Sequence, residues 1–352
     1  MPLAVRPPLP PMEARLVDDL PEGTGWQYEP KWDGFRCLVF KEGKTIELQS
    51  KAQKPLARYF PEVVEAVAAI GGPRFALDGE IVVPVGDILS FDDLLQRIHP
   101  AESRIRRLAE ETPALLVVFD LLADERGRSL LARPLAERRL RLEAFAGKRL
   151  GPDGSVSLSP ATIDRRAAER WLSSAGGSLD GVVAKRLDQP YRSGERTAAV
   201  KVKRVRSADC VVGGFRYGKG RKEVGSLLLG LYDDGGLLHH VGFTSAIPES
   251  DKTELTRRIE KLVGGPGFTG QAPGGPSRWA TERSAEWEPL RPELVVEVTY
   301  DHFTGGRFRH GTGLLRWRPD KPPAECTLDQ VDKGGIEWRK VLAPERKRKR
   351  AG

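Results

Sequence analysis

The chain is poor in the residues that build disulfide or metal frameworks, with 3 cysteines and 5 histidines among 352 residues. Cys37, Cys210 and Cys326 stand far apart and form no Cys-x-x-Cys pair. That argues against a disulfide scaffold and a thiolate zinc site, and predicts buried thiols in a reducing cytosol. The histidines make no ligand pattern either: His239 and His240 are neighbours on what reads as a strand, so they face opposite ways. No apolar run approaches the roughly 20 residues needed to cross a bilayer, and mean hydropathy is −0.40. The opening Met1-Pro2-Leu3-Ala4-Val5-Arg6-Pro7-Pro8 is proline-rich and lacks the apolar core of a signal peptide. No segment repeats. A membrane protein, a secreted disulfide module and a repeat array are thereby set aside.

What the chain has is apolar content and positive charge. Hydrophobic residues make up 39%, enough for real cores, and the length has room for two ordinary domains. A net charge of +8 favours a polyanionic partner. The excess gathers at 201–206, at 216–222 and in Arg346-Lys347-Arg348-Lys349-Arg350. The last stretch contains no apolar residue, so 341–352 is expected to be a disordered basic tail.

The first half alternates strands and helices. Strands are expected at 37–40, 45–49, 75–83, 114–122 and 179–185, with helices at 61–70, 91–98, 134–145 and 164–175. Pro61 in the first turn and Gly71-Gly72 beyond the end delimit the first of these helices. This predicts an α+β domain with largely antiparallel sheets over 1–203. Past Lys203 the character changes. Strands are expected at 209–215, 226–232, 237–243, 294–300 and 313–317, with one helix at 248–263 and a glycine- and proline-rich loop at 264–277. Five strands and one helix suggest a small β-barrel of the oligonucleotide-binding (OB) type over 204–340, joined by a polar hinge near 204–207.

The densest chemistry lies in Glu29-Pro30-Lys31-Trp32-Asp33-Gly34-Phe35-Arg36. A lysine is nucleophilic only when neutral, and with an ordinary pKa of about 10.4 only well under roughly 0.1% is neutral at pH 7. Nearby cations or a metal lower that pKa. Lys31, close to Arg36 and in reach of other cations, is therefore a candidate nucleophile toward a phosphate. Gly34 lets the backbone turn tightly beside a ligand. Further along come Leu77-Asp78-Gly79-Glu80-Ile81-Val82-Val83, Val117-Val118-Phe119-Asp120-Leu121, Leu179-Asp180-Gly181-Val182-Val183-Ala184-Lys185, Val200-Lys201-Val202-Lys203 and Arg316-Trp317-Arg318-Pro319-Asp320-Lys321. Lys201 and Lys203 share one strand face, a costly arrangement without an anion. Glu80 suits a ribose hydroxyl, a Mg²⁺ ion or a buried pair with an arginine. Phe119, inside an apolar run, reads by itself as core.

This ordered series resembles the motifs of covalent lysyl nucleotidyltransferases: ATP-dependent DNA ligases, RNA ligases and mRNA capping enzymes. It is most similar to the compact bacterial ATP-dependent DNA ligases of the C type, from about Trp26 to Gln330. The resemblance implies an antiparallel-sheet, ATP-grasp-like nucleotidyltransferase domain followed by the OB barrel. It also implies ATP and Mg²⁺ as nucleotide and metal, and a sealing reaction on nicked duplex DNA. Lys31 becomes the site of AMP attachment. Glu29 reads the adenine edge, and Phe119 stacks on the purine opposite apolar side chains of Val182-Val183. Arg36, Lys51, Glu80, Arg196, Lys201, Lys203, Arg318, Asp320 and Lys321 hold the nucleotide. Glu80 and Asp180 are the metal candidates, and Lys201 and Lys203 help depress the pKa of Lys31. DNA contacts are expected from Arg216, Lys219, Arg221, Lys222, Arg307 and Arg309.

Two departures stand out. Asp180 occupies a place where many relatives carry glutamate, and Lys51 one where arginine is common, which keeps the charge but loses bidentate geometry. NAD use is disfavoured, since NAD-dependent relatives carry an extra N-terminal domain and a cysteine zinc site. A monomer in the cytoplasm, associated with the nucleoid and working in repair beside a primase-polymerase, completes the expectation. An RNA ligase or guanylyl-transferring capping enzyme, and an inert nucleic-acid-binding protein on this fold, are the alternatives.

Overall fold

The computed structural model describes residues 2–151, 154–175, 178–220, 222–274, 286–331 and 336–343. The chain forms two compact units, Met1–Arg204 with Gly334–Gly352, and Val205–Lys333. Among the described residues no helix is long and apolar enough to cross a membrane.

The first unit is built on two sheets. One orders its strands Thr45–Ser50, Phe35–Glu42, Arg74–Val82, Leu115–Ala123 and Val156–Leu158. The other orders Arg15–Leu16, Ala199–Lys203, Leu179–Arg186 and Trp26–Trp32. Pairing is antiparallel except at the Arg15–Leu16 and Val156–Leu158 edges. Alternation decides which side each residue serves. Tyr28, Val182, Ala184, Val200 and Val202 pack against the Arg165–Ser173 helix, whose Asp164 caps its N-terminus. Their neighbours Glu29, Lys31, Val183, Lys185 and Lys201 line the opposite side.

In the five-stranded sheet Cys37, Val39, Leu77 and Val118 pack with Val63 and Val67 of the Pro61–Ala69 helix and with Leu142 and Phe145 of the Leu135–Arg149 helix. A buried bidentate pair, Arg138 Nε–Asp120 Oδ1 at 2.9 Å and Nη2–Oδ2 at 2.8 Å, fixes that last helix to the strand carrying Phe119. All three cysteines are free and buried, as expected.

In the second unit the five expected strands appear as Arg206–Tyr217, Val224–Tyr232, Leu238–Thr244, Val295–Tyr300 and Gly313–Trp317. The helix there is Lys252–Glu260. Glu288–Pro289 adds a sixth strand beside Arg206–Tyr217. Among the described residues this sheet is an open path that does not close into a barrel.

Among the described residues two α-helices escaped the sequence reading, as did short strands such as Arg15–Leu16 and Val156–Leu158. The Glu102–Glu111 helix carries an exposed Glu102–Arg106 pair at i,i+4, a signal present in the sequence. The Trp338–Leu342 helix packs in the first unit, with Val341 in a cluster that holds Trp32, Val82 and Leu89. Residues 336–343 therefore do not belong to the second unit, to which the expectation gave everything up to 340, and 341–343 are not tail. The rest of the expected tail lies outside the described residues.

Candidate active site

Residues Trp26–Trp32 and Phe35–Glu42 are consecutive in the chain but lie in different sheets, and Asp33-Gly34 forms the corner between them. A Cβ on Gly34 would meet the carbonyl oxygen of Ile81 at 2.2 Å, so only glycine allows the corner to press this close to Glu80's strand. The motif therefore straddles the two sheets, with Lys31 on one and Arg36 on the other. Both line a single cleft with Glu29, Lys51, Glu80, Phe119 and Lys201.

Two site residues reach their positions through β-bulges. The register of Leu115–Ala123 on Arg74–Val82 skips Phe119, and that of Leu179–Arg186 on Trp26–Trp32 skips Asp180. A bulge leaves one residue out of the ladder and re-aims its side chain. Phe119, 8% exposed, belongs to none of the apolar core clusters and instead lines the cleft. Its ring carries the Arg36 guanidinium at 4.7 Å and the Lys185 ammonium at 4.5 Å from the centroid. The apolar residue of the 182–183 pair in this cleft is Val183, because Val182 faces the helix. Asp180 is aimed at Lys31, Oδ2 to Nζ 2.5 Å, and also meets Lys203 Nζ at 3.1 Å. Gly181, at φ 148°, makes the bulge possible, since a Cβ there would lie 2.0 Å from the Val202 carbonyl oxygen.

The electrostatics correct one expectation. Burial works to lower the pKa of Lys31, but Asp180, then Glu80 and Asp33, outweigh it and leave the pKa raised. The depression expected from Lys201 and Lys203 is overridden by a carboxylate in direct contact. Lys201 itself is lowered, by burial first and then by Lys31, Lys51 and Lys203. Burial also pushes Glu80 up to about 7, against the pull of Arg36 and Lys31.

Sequence reasoning missed the side chains that hold these groups. Asp78 grips Arg36 through two contacts of 2.5 and 2.6 Å and accepts the Tyr191 hydroxyl at 2.6 Å. Its spacing of two from Glu80 was the available signal. Glu13 joins Lys51 at 2.9 Å and Arg196 at 3.0 Å. Lys185 binds Glu29 at 2.6 Å. Arg196 is exposed, does not itself line the cleft, and pairs with Glu13, which does.

In the second unit Arg318 Nη1 donates to both carboxylate oxygens of Asp209, at 2.8 and 2.9 Å, its Nε and Nη2 pair with Asp320 at 3.0 and 2.8 Å, and Lys321 pairs with Glu325 at 2.7 Å. Phe303–Thr304 and Arg307–Phe308 form a hairpin, turning at Gly305-Gly306. Arg307 and Arg216 both act on His240, whose pKa falls to about 3 through burial and then these two charges. Lys219 and Lys222 are exposed, Arg309 is half-buried, and Arg221 lies outside the described residues.

Asp180 contacts Lys31, and Glu80 lines the same cleft as Lys31. Among the described residues no group of three or more His, Cys, Asp or Glu could hold an ion. A pair of oxygen ligands fits Mg²⁺, which is bound through one or two carboxylates and completes its shell with phosphate oxygens and water.

A lysine held by a bulged aspartate, beside a cleft with an aromatic wall and several cations, suits a phosphorylated nucleotide chemically. Residues 11–203 match the family described as ATP dependent DNA ligase domain, and residues 220–321 match the ATP dependent DNA ligase C terminal region. The chain belongs to the ATP-dependent DNA ligases, enzymes that use ATP and Mg²⁺. It is 46% identical to DNA ligase C1 of Mycolicibacterium smegmatis, over 94% of this chain and 96% of that protein. It is 42% identical to DNA ligase C of Mycobacterium tuberculosis, over 95% and 96%. A Lig E DNA ligase structure shares the fold with a TM-score of 0.52 at 16% identity, over 88% of this chain and 98% of that one.

Proposed function

We propose that this ligase seals nicks in duplex DNA through an AMP carried on Lys31. The carrying observation is the position of Lys31, at the corner of two sheets, in contact with Asp180 and lining the cleft with Glu80 and Phe119. In the first step the Lys31 amine forms an N–P bond to the α-phosphate of ATP and pyrophosphate leaves. AMP then passes to the 5′-phosphate of the nick, freeing Lys31. The 3′-hydroxyl displaces AMP and closes the strand. Glu80 and Asp180 are the residues that would hold Mg²⁺, which would supply charge neutralisation at the phosphates.

The chain's own residues do the rest. Lys31 must release its proton to solvent before it attacks, and the nearby cations Lys201 and Lys203 would favour the neutral amine if a metal engaged Asp180. Asp78, itself held by the Tyr191 hydroxyl, holds Arg36 toward the ribose or phosphates. Phe119 and Val183 sandwich the purine, and Glu29 accepts from its 6-amino edge. Lys51 and Arg196 can leave their shared Glu13 for phosphate oxygens. Arg318, Asp320 and Lys321 are assigned by the resemblance to the departing pyrophosphate. Arg216, Lys219, Lys222, Arg307 and Arg309, with Arg221, neutralise DNA phosphates. Five principal strands with one helix support reading residues 205–333 as an OB-type barrel. The same resemblance supports a monomer in the cytoplasm on the nucleoid, acting in repair with a primase-polymerase.

The test is sealing of a labelled nicked duplex with ATP and Mg²⁺, beside an all-RNA nick and a GTP control. Sealing of DNA with ATP supports the reading. Preference for the RNA nick, or for GTP, would replace it with one of the two rival activities.

A further inference from the structure

The Glu29 carboxylate is buried and already engaged on both oxygens. Oε1 accepts from the Gln27 amide at 2.7 Å and Oε2 from the Lys185 ammonium at 2.6 Å. Both donors come from residues that alternation places on the cleft side with Glu29: Gln27 two positions before it in Trp26–Trp32, and Lys185 two beyond Val183, which pairs with Glu29. The Lys185 ammonium also sits 4.5 Å from the Phe119 centroid. One cation thus ties the base-edge carboxylate to the aromatic ring.

A carboxylate that receives an N–H on each oxygen remains an acceptor, with lone pairs left over, and its orientation is fixed. An acceptor suits an amino group at position 6 of a purine. It opposes a 6-oxo group, which needs a donor and would leave two acceptors face to face.

Resting on the adenine-edge role proposed for Glu29, we infer that Lys185 and Gln27 are positioning residues that set the choice of adenine over other purines. Lys185 contributes its ammonium to Glu29 Oε2 and to the ring, and takes no part in the bond changes at phosphorus. Without it Glu29 is free to rotate, and its carboxylate is no longer held where it accepts from a 6-amino group and opposes a 6-oxo group.

The experiment compares formation of the nucleotidyl-enzyme from ATP, GTP and purine riboside triphosphate, which lacks the 6-amino group. It uses the wild-type full chain, Glu29→Gln, Lys185→Met, Lys185→Arg and Gln27→Met. A hydrogen bond to a charged group predicts that the wild type prefers ATP by about tenfold to a hundredfold over purine riboside triphosphate. Lys185→Met, which keeps the apolar stem, should compress that preference to within about threefold and raise GTP use relative to ATP. Lys185→Arg should restore most of it. Gln27→Met should compress it partially, and provides a second path should Lys185→Met fail to fold. A purely structural role would lower all three nucleotides in parallel and leave their ratios unchanged, which overturns the inference. If the wild type does not distinguish ATP from purine riboside triphosphate, or Glu29→Gln leaves the ratio intact, the adenine-edge reading of Glu29 fails instead.

Discussion

Replacing Glu80 by glutamine should make the nucleotide-free protein more stable while nearly abolishing adenylation. Burial raises this carboxyl from 4.5 to about 7, despite Arg36 and Lys31. The fold therefore disfavours the ionised form by about 3 kcal/mol, taken as a ceiling. The sign follows from proton binding. Between these two values the folded state holds a proton that the unfolded chain has released, so stability falls as pH rises through that window. Above about pH 7 the whole penalty is present; near pH 4 it is absent. Glutamine has the same shape and never ionises. Allowing for water penetration, Glu80→Gln should gain about 1–3 kcal/mol at pH 8, a few degrees in Tm, and nothing near pH 4. The assay is thermal unfolding at both pH values, on protein stripped of AMP with pyrophosphate and Mg²⁺ and then kept in chelator. Adenylation should fall by at least about a hundredfold, because a carboxylate that lines the Lys31 cleft and would hold the metal is lost. A variant destabilised equally at both pH values would refute the reasoning.

Phe119→Ala should raise the KM for ATP by about tenfold or more, as expected from about 1–3 kcal/mol of base stacking. Phe119→Leu should keep more stability than activity, and parallel loss of melting temperature and turnover in both variants would return the ring to the core. Arg138→Met leaves Asp120 buried without its bidentate partner, so urea unfolding should show a loss of about 3–5 kcal/mol; a loss under 1 kcal/mol would mean that the pair does not anchor its helix. Lys321→Ala should impair adenylation of Lys31 far more than single-turnover sealing of a pre-adenylated nick, and equal loss in both assays would place Lys321 on DNA.

Much of the site was legible because strand alternation is strict. Val200-Lys201-Val202-Lys203 announces buried valines and lysines directed the other way, and the structure buries Val200 and Val202. The five strands of the second unit were readable for the same reason. Pairing across the chain was not: spacing says nothing of which acid meets Lys185 from 156 residues away, or that Asp209 grips Arg318. The bulges at Phe119 and Asp180 are equally silent, since skipping one residue depends on the partner strand. The charge state of Lys31 was inverted for this reason. The expectation counted the cations Arg36, Lys201 and Lys203, while the residue that the bulge delivers to it is an aspartate. The Trp338–Leu342 helix was missed because its few apolar positions gain meaning only against the first unit.

The most direct test of the account is to map the AMP. Purified protein incubated with ATP and Mg²⁺, then digested under conditions that preserve the acid-labile phosphoramidate, should yield one modified peptide by mass spectrometry, with the added AMP on Lys31. Lys31→Ala should show none while still retarding nicked DNA in a gel. An adduct on Lys185, Lys201 or any other lysine, or one that persists in Lys31→Ala, would contradict the account.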